Sequence, residues 1–495
     1  MAMAAAALNV AIAAAEQARL NISLSIATCM AEGKFYEAVR GLVPLGRAFY
    51  SDAQLWGAFK DHRGPKGRTR LMYAAREGNV ARARFLLDRG AVVDLCSTRP
   101  RNAREWLAWG TALMFATDSD HLGIVQLLVE RGANVSAART TDGATALMVA
   151  SEKGHLEIAQ LLVESGANVN AARTDGITAL MSASWKGHQG IAQLLVERGA
   201  NVNAARKDGG MTALMSASWK GHLGIAQLLV ERGANVNAAQ ATDGCTALMM
   251  ASQEGHLEIV RFLVEKGANV NAASTNDGCT ALIMAIRHPK IVEVLAGRGA
   301  NIDAALTGGE DQGFTALISA VDDDCVRTAR LLLKLGANLN IAGANGVTVL
   351  LLALENRKLP LARLLIERGA DVNAKRTSGD STALLLALTR LKSPQAQEFG
   401  QLLVERGAKV NNACLRWIVE NGDVVLARIL LEGVDNVSGS FLAQAARRGN
   451  LEMARLLVSK GASLMKYLAS RFQKDPVMLA LLQDHQQREE GIPPA

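Results

Sequence analysis

The chain has 495 residues, of which 49% are hydrophobic but only 4% aromatic. A core of Ala, Leu, Val and Ile with so few rings suits closely packed helices and argues against a β-sandwich, and a chain this apolar is not disordered over most of its length. Lys and Arg number 54 against 47 Asp and Glu, and the resulting +7 is too weak a bias to point by itself to a nucleic-acid polyanion.

Residues 1–66 read as an N-terminal helical region. Met1 to Ala15 is Ala-rich, with no Lys or Arg before Arg19, so it lacks the basic start of a secretory leader. Ala27 to Gly41 can be read as a worn helix pair, Leu42 to Trp56 as helical, and Lys60 to Gly67 as a turn or linker. No apolar run reaches the ~18 to 20 residues of a membrane span. The six cysteines form no Cys-x-x-Cys pair and no Cys/His cluster, so neither a zinc site nor a disulfide framework is expected. The chain is read as intracellular and cytoplasmic, with a nuclear location left open.

From Thr69 a period near 34 dominates. Thr-Ala-Leu recurs from Thr111, Thr145, Thr178, Thr212, Thr246, Thr280, Thr315 and Thr382, with Thr-Val-Leu at Thr348 and Thr-Arg-Leu at Thr69. Gly-Ala follows each start by about 21 residues, as at Gly166, Gly199, Gly233 and Gly267. Thr178 to Ala205 illustrates one unit. Thr178 predicts an N-cap, Leu180, Ala183 and Ser184 one buried face, and Gly187 the helix end. A second helix is predicted from about Gln189, with Ile191, Leu194 and Leu195 facing inward and Gly199 closing it in the left-handed region. Asn201-Val202-Asn203 reads as extended, and an Asp-Gly-type turn then returns the chain as a finger. Two such short helices cannot enclose a core alone and must stack on neighbouring copies.

Thr-x-Leu, Gly-His, Leu-Leu-Val-Glu-x-Gly-Ala-Asn-Val-Asn and Asp-Gly together resemble the ankyrin repeat. The resemblance covers about Gly67 to Leu464 and implies an all-α solenoid of about 10 to 12 helix–turn–helix–finger units with degenerate terminal caps. Residues 67–464 are then the array, with an insertion at about 97–109, and residues 465–495 a C-terminal capping helix and frayed tail. Asn412 to Gly433 and Phe441 to Leu464 read as degenerate units. Where the family has Thr-Pro-Leu-His, this chain has Ala for Pro and Met, Ile or Leu for His, which predicts somewhat looser helix starts. The family resemblance also implies protein–protein recognition on a concave surface of fingers and first helices, with no catalysis.

The residues themselves point the same way. His121, His155, His188, His222 and His256 share one repeat position, and layers ~10 Å apart cannot converge on a metal, so they are expected to bond the turn between repeats. Cys245 and Cys279 read as small finger residues, and Asp322-Asp323-Asp324 as a solvated acidic turn, with a partner contact as the alternative. No phosphate loop, nucleophile elbow or metalloprotease motif is present, so no catalytic residue, metal, cofactor or small-molecule substrate is expected.

Two places stand out for binding. Trp185-Lys186 and Trp219-Lys220 lie off the buried stripe, which predicts an exposed Trp pair ~10 Å apart that could anchor a partner or pack on the next repeat. Asp175, Ile177, Met211, Gln253 and Glu254 are expected on the same surface, as are Glu152 and Lys153. The second place is the insertion Ser97 to Trp109, whose Arg99, Arg101, Arg104, Trp106 and Trp109 favour an interface or a longer tucked finger. The chain is therefore expected to be a monomeric scaffold or adaptor binding another protein. The alternative is a nucleic-acid-associated protein using the Arg/Trp-rich insertion and the basic balance. A third possibility is an added activity or address carried by residues 1–66.

Overall fold

A computed structural model describes residue 61 and residues 67–97, 110–377, 381–432, 434 and 437–462. Asp61 aside, the readings for residues 1–66, for the insertion beyond Ser97 and for residues 465–495 lie outside the described residues. The described residues fall into two compact units, one ending at Thr242 and one starting at Asp243.

In the first unit the helix pairs are α1 (Arg70–Glu77) with α2 (Val80–Asp88), α3 (Ala112–Asp118) with α4 (Leu122–Glu130), α5 (Ala146–Lys153) with α6 (Leu156–Glu164), α7 (Ala179–Lys186) with α8 (Gln189–Glu197), and α9 (Ala213–Lys220) with α10 (Leu223–Glu231). The second unit continues with α11 (Ala247–Glu254) and α12 (Leu257–Glu265), α13 (Ala281–Met284) and α14 (Pro289–Gly297), α15 (Ala316–Asp322) and α16 (Val326–Lys334), and α17 (Val349–Glu355) and α18 (Leu359–Glu367). It ends with α19 (Ala383–Arg390) and α20 (Ser393–Glu405), α21 (Asn412–Asn421) and α22 (Val424–Leu430), and α23 (Gly439–Arg447) and α24 (Leu451–Ser459). Apart from one 3-10 turn at Ala344–Gly346, the remaining regular structure among the described residues is a set of isolated antiparallel bridges at finger bases, such as Ala172 with Thr178 and Ala205 with Thr212. The fold is an all-α repeat solenoid.

The repeated Thr starts each first helix for a local reason. In extended backbone, its hydroxyl accepts from the amide three residues on: Met181 N for Thr178 and Met215 N for Thr212, both at 3.3 Å. At Thr69 and Thr212 the Met thioether also reaches back to the Thr amide, at 3.3 and 3.5 Å. The helix starts expected to be loose are thus tied by Thr and, in these two, by Met. Thr348, followed by Val349 in place of Ala, is the exception, and its buried hydroxyl has no partner.

The first helices bury most of their small and aliphatic residues. In α7 these are Ala179, Leu180, Met181, Ala183 and Ser184, because α5 packs on one side and α9 on the other. In α8 the buried stripe is Ile191, Ala192, Leu195 and Val196. Leu194, predicted to face inward, is only half-buried, while its neighbours Leu195 and Val196 are buried in a helix that packs on α6 and α10. Each buried Leu or Ile contributes about 2 kcal/mol, and within a unit adjacent repeats share that gain.

The segment read as extended at Asn201-Val202-Asn203 is a turn. Ala204 N donates to Asn201 O at 3.2 Å, and Asn203 N donates to Asn201 Oδ1 at 3.0 Å. The turn aims Asn203 at the following repeat. Its Oδ1 accepts from Asn235 N at 2.8 Å and its Nδ2 donates to Gly233 O at 3.0 Å. Asn170 repeats the pattern on Asn201 N and Gly199 O, and Asn271 does so in the second unit on Asn301 N and Gly299 O. Asn203→Ala removes two such bonds, so a loss of about 1–2 kcal/mol in urea unfolding is expected, with little change in helical circular dichroism.

Candidate functional site

Where one repeat meets the next, glycine and histidine interlock. Gly187 ends α7 in the left-handed region (φ 84°), and the ring of His222 lies 2.5 Å from where a Cβ on Gly187 would stand. From there His222 Nε2 reaches Trp185 O at 3.3 Å. His188 does the same over Gly154 to Glu152 O, His121 over Gly78 to Arg76 O, and in the second unit His288 over Gly255 to Gln253 O. The predicted turn-bonding role of the histidines is what the structure shows at these positions. At His155 the preceding repeat has Asp120 in the left-handed region instead of Gly, and the carboxylate meets His155 Nδ1 at 3.1 Å. Among the described residues no group of three His, Cys, Asp or Glu is placed to hold a metal ion.

The same interlock fixes the helix end that carries Trp185. Trp185 is 36% exposed, whereas Trp219 is half-buried. Their ring centroids lie 6.3 Å apart at 44°, not the ~10 Å expected from layer spacing, because the two indoles lean together across adjacent helices. Lys220 Nζ sits 4.3 Å from the Trp185 ring centroid, a cation–π contact at a partly open site. Lys186 and Lys220 are exposed. The pair therefore combines both readings: the rings pack on each other across a repeat boundary, and one of them still faces solvent.

Beside Trp185 the fingers and first helices enclose a cleft of about 230 Å³. Ile177, Met181, Trp185 and Met211 form its apolar wall, and Glu152, Arg173, Lys186 and Arg206 its charged edge. Ser182 and Ser216 also line it, with hydroxyls committed to Thr178 O at 3.2 Å and Thr212 O at 2.9 Å. Of the predicted surface residues, Ile177 and Met211 are half-exposed within the cleft, and half-exposed Asp175 holds the finger turn by accepting from Ile177 N at 3.1 Å. Gln253 and Glu254 are exposed at the end of α11 in the second unit. Arg101, Arg104, Trp106 and Trp109 lie outside the described residues. The stem of their insertion is visible: Ser97 N donates to Gly110 O at 3.0 Å, and Gly110 N donates to Ser97 Oγ at 2.9 Å.

Arg173 and Arg206 escaped the sequence reading. They belong to a finger ladder with Arg139, each next to an Asp. Arg139 grips Asp142 in two bonds of 3.0 and 2.8 Å, and Arg206 grips Asp208 through Nε at 2.9 Å and through Nη2. Arg173 is held more loosely, 3.5 Å from Asp142 and 3.6 Å from Asp175. The signal was Ala-Ala-Arg, recurring at Arg139, Arg173 and Arg206 and giving way to Gln240.

Asp322-Asp323-Asp324 ends α15 as an acidic turn, and each member is engaged across a repeat boundary. Asp323 pairs with Arg287 at 3.0 Å, Asp324 with Lys358 at 2.7 Å, and Asp322 accepts from Asn356 at 3.3 Å. Cys245 and Cys279 stand in fingers, half-buried and free. Burial, followed by nearby Asp243, raises the Cys245 thiol to about 12, and burial with Asp277 raises Cys279 to about 11. A raised thiol pKa leaves less thiolate at a given pH. By thiolate fraction, iodoacetamide at pH 8 is therefore expected to label Cys279 roughly 100-fold and Cys245 roughly 1,000-fold more slowly than in the urea-unfolded chain, the gap closing as pH approaches 11 to 12.

A family model described as "Ankyrin repeats (3 copies)" matches the chain in overlapping stretches from residue 24 to residue 376, including 134–206 and 171–240 across the cleft. The chain belongs to the ankyrin-repeat family. Ankyrin repeats are in general protein-interaction modules and typically non-enzymatic scaffolds. No curated protein matches the chain. No helix among the described residues is long and apolar enough to cross a membrane.

Proposed function

We propose that the chain is a scaffold or adaptor that holds a protein partner on the finger and first-helix face of its first unit, centred on Trp185. The cleft beside Trp185 carries this reading. A ring backed by Trp219 and Lys220 stands beside an apolar hollow edged by charged finger residues. Interface hot spots favour such a ring, rigid, amphipathic and already supported by its own chain. Mixed charges at the rim suit a protein surface better than a phosphate backbone.

The test is capture from a cell extract by the whole chain, with retained proteins identified by mass spectrometry and compared with those held by an Ile177→Asp, Met211→Asp chain. Both positions are half-exposed finger residues, so the fold should survive. A carboxylate in the apolar wall should weaken a true partner by about tenfold or more. A partner held equally well by both chains would sink the reading. A complex lost steeply with added salt, with nucleic acid co-purifying, would favour the nucleic-acid alternative.

A further inference from the structure

Two features of the cleft go beyond a generic docking face. The first is an unfilled donor. Arg173 Nε is buried and has no acceptor, while the Nη2 contacts of the same guanidinium to Asp142 and Asp175 are long, at 3.5 and 3.6 Å. A buried donor left unpaired is costly, and a guanidinium completes its fork best on a carboxylate. The second is the balance of charge. The three finger arginines are matched by Asp142, Asp175 and Asp208. That leaves Lys186, Lys207 and Lys220 without an ion pair among the described residues, and Glu152 as the carboxylate among the lining side chains. With Lys186 on the charged edge and Lys207 and Lys220 outside the lining, the mixed charges carry a cationic excess beside an apolar wall of Ile177, Met181, Trp185 and Met211, which selects for a particular chemistry.

Resting on the proposed partner-binding reading, we infer that the cleft takes a short peptide segment of the partner in which an Asp or Glu carboxylate lies beside a large aliphatic or aromatic side chain. The apolar side chain enters the hollow against Trp185 and Met211. The carboxylate meets the part-exposed, loosely held Arg173 guanidinium at the cleft edge, and the lysines steer the acidic segment toward the cleft.

The test uses the full chain and peptides displayed on phage. Random peptides are selected on the full chain and counter-selected on the Trp185→Ala chain. Enriched sequences are then synthesised and titrated by fluorescence polarisation. The expected result is that they share an acidic residue within a position or two of a large apolar one. Arg173→Gln should weaken them about tenfold or more. Arg173→Lys, which keeps the charge but loses the planar fork, should fall in between. Replacing the peptide's Asp or Glu by the amide should cost nothing further in the Arg173→Gln chain. Arg330→Gln, in the second unit, should leave binding within about twofold, and thermal melts of each variant establish that it is folded.

Cleft-dependent peptides that lack an acidic residue, or that bind the Arg173→Gln chain unchanged, would overturn the inference while leaving partner capture on this face standing. A selection enriching nothing beyond the Trp185→Ala background would also overturn it. Partner capture is then judged separately, by whether the Ile177→Asp, Met211→Asp chain still holds what the native chain holds.

Discussion

Gly187→Ala should destabilise the array by roughly 2–5 kcal/mol, far more than the same change at Gly199. Both glycines are left-handed, with φ of 84° and 81°, and a side chain in that region costs about 1–2 kcal/mol at either site. The difference lies in what a Cβ meets. At Gly199 nothing stands within 4 Å, whereas at Gly187 the His222 ring is 2.5 Å away. Forcing that ring aside adds about 1–3 kcal/mol of overpacking and breaks its bond to Trp185 O. Removing the ring separates the two contributions. His222→Ala alone should cost about 1 kcal/mol for a lost inter-repeat hydrogen bond. In Gly187→Ala, His222→Ala the clash disappears, so the double variant should be less destabilised than the sum of the singles by about 1–3 kcal/mol. Repeat arrays can lose two-state behaviour. The measurement is therefore urea unfolding together with hydrogen exchange of the α7 amides. Equal losses at Gly187 and Gly199 would contradict the interlock.

Trp185→Ala with Trp219→Ala should leave helical content nearly intact and weaken a captured partner by about 2 kcal/mol or more, some 30-fold. The expectation rests on how the rings are placed. Trp185 is exposed enough to meet a partner, and Trp219 braces it at 6.3 Å. The singles should therefore couple. Trp219→Ala weakens binding through the lost brace, and once Trp185 is gone the further loss is small. Ring pairs of this kind carry about 0.5–1.5 kcal/mol, which sets the expected coupling. If the double variant instead loses the α7 and α9 amides to exchange, the rings serve the stack and not a partner.

Much of this architecture is legible in the sequence because each repeat restates it. Thr178, Gly187 and Gly199 act through their own backbone, so their roles can be read from local rules. Leu194 was misplaced because the choice between two adjacent stripes on α8 depends on how α6 and α10 dock, which no single repeat contains. The histidine position suggests a bond between repeats, but the acceptor, a carbonyl in the preceding repeat, depends on how the layers are registered. The Trp spacing failed for a related reason. Layer spacing sets where the Cα atoms lie, while two indoles are long enough to lean into one contact. Arg173 and Arg206 were visible as a recurring Ala-Ala-Arg. What no pattern reveals is that Arg139 and Arg206 each grip an Asp in two bonds and Arg173 does not.

The most direct test of the central claim is site-specific photocrosslinking of the chain to its captured partner. A photoreactive phenylalanine analogue at Trp185 is compared with one at Gln193, which is exposed on the second helix α8 of the same repeat. A partner held on the finger and first-helix face crosslinks from position 185 and not from 193. Crosslinking from 193 with none from 185 would place the partner on the second-helix side and contradict the account.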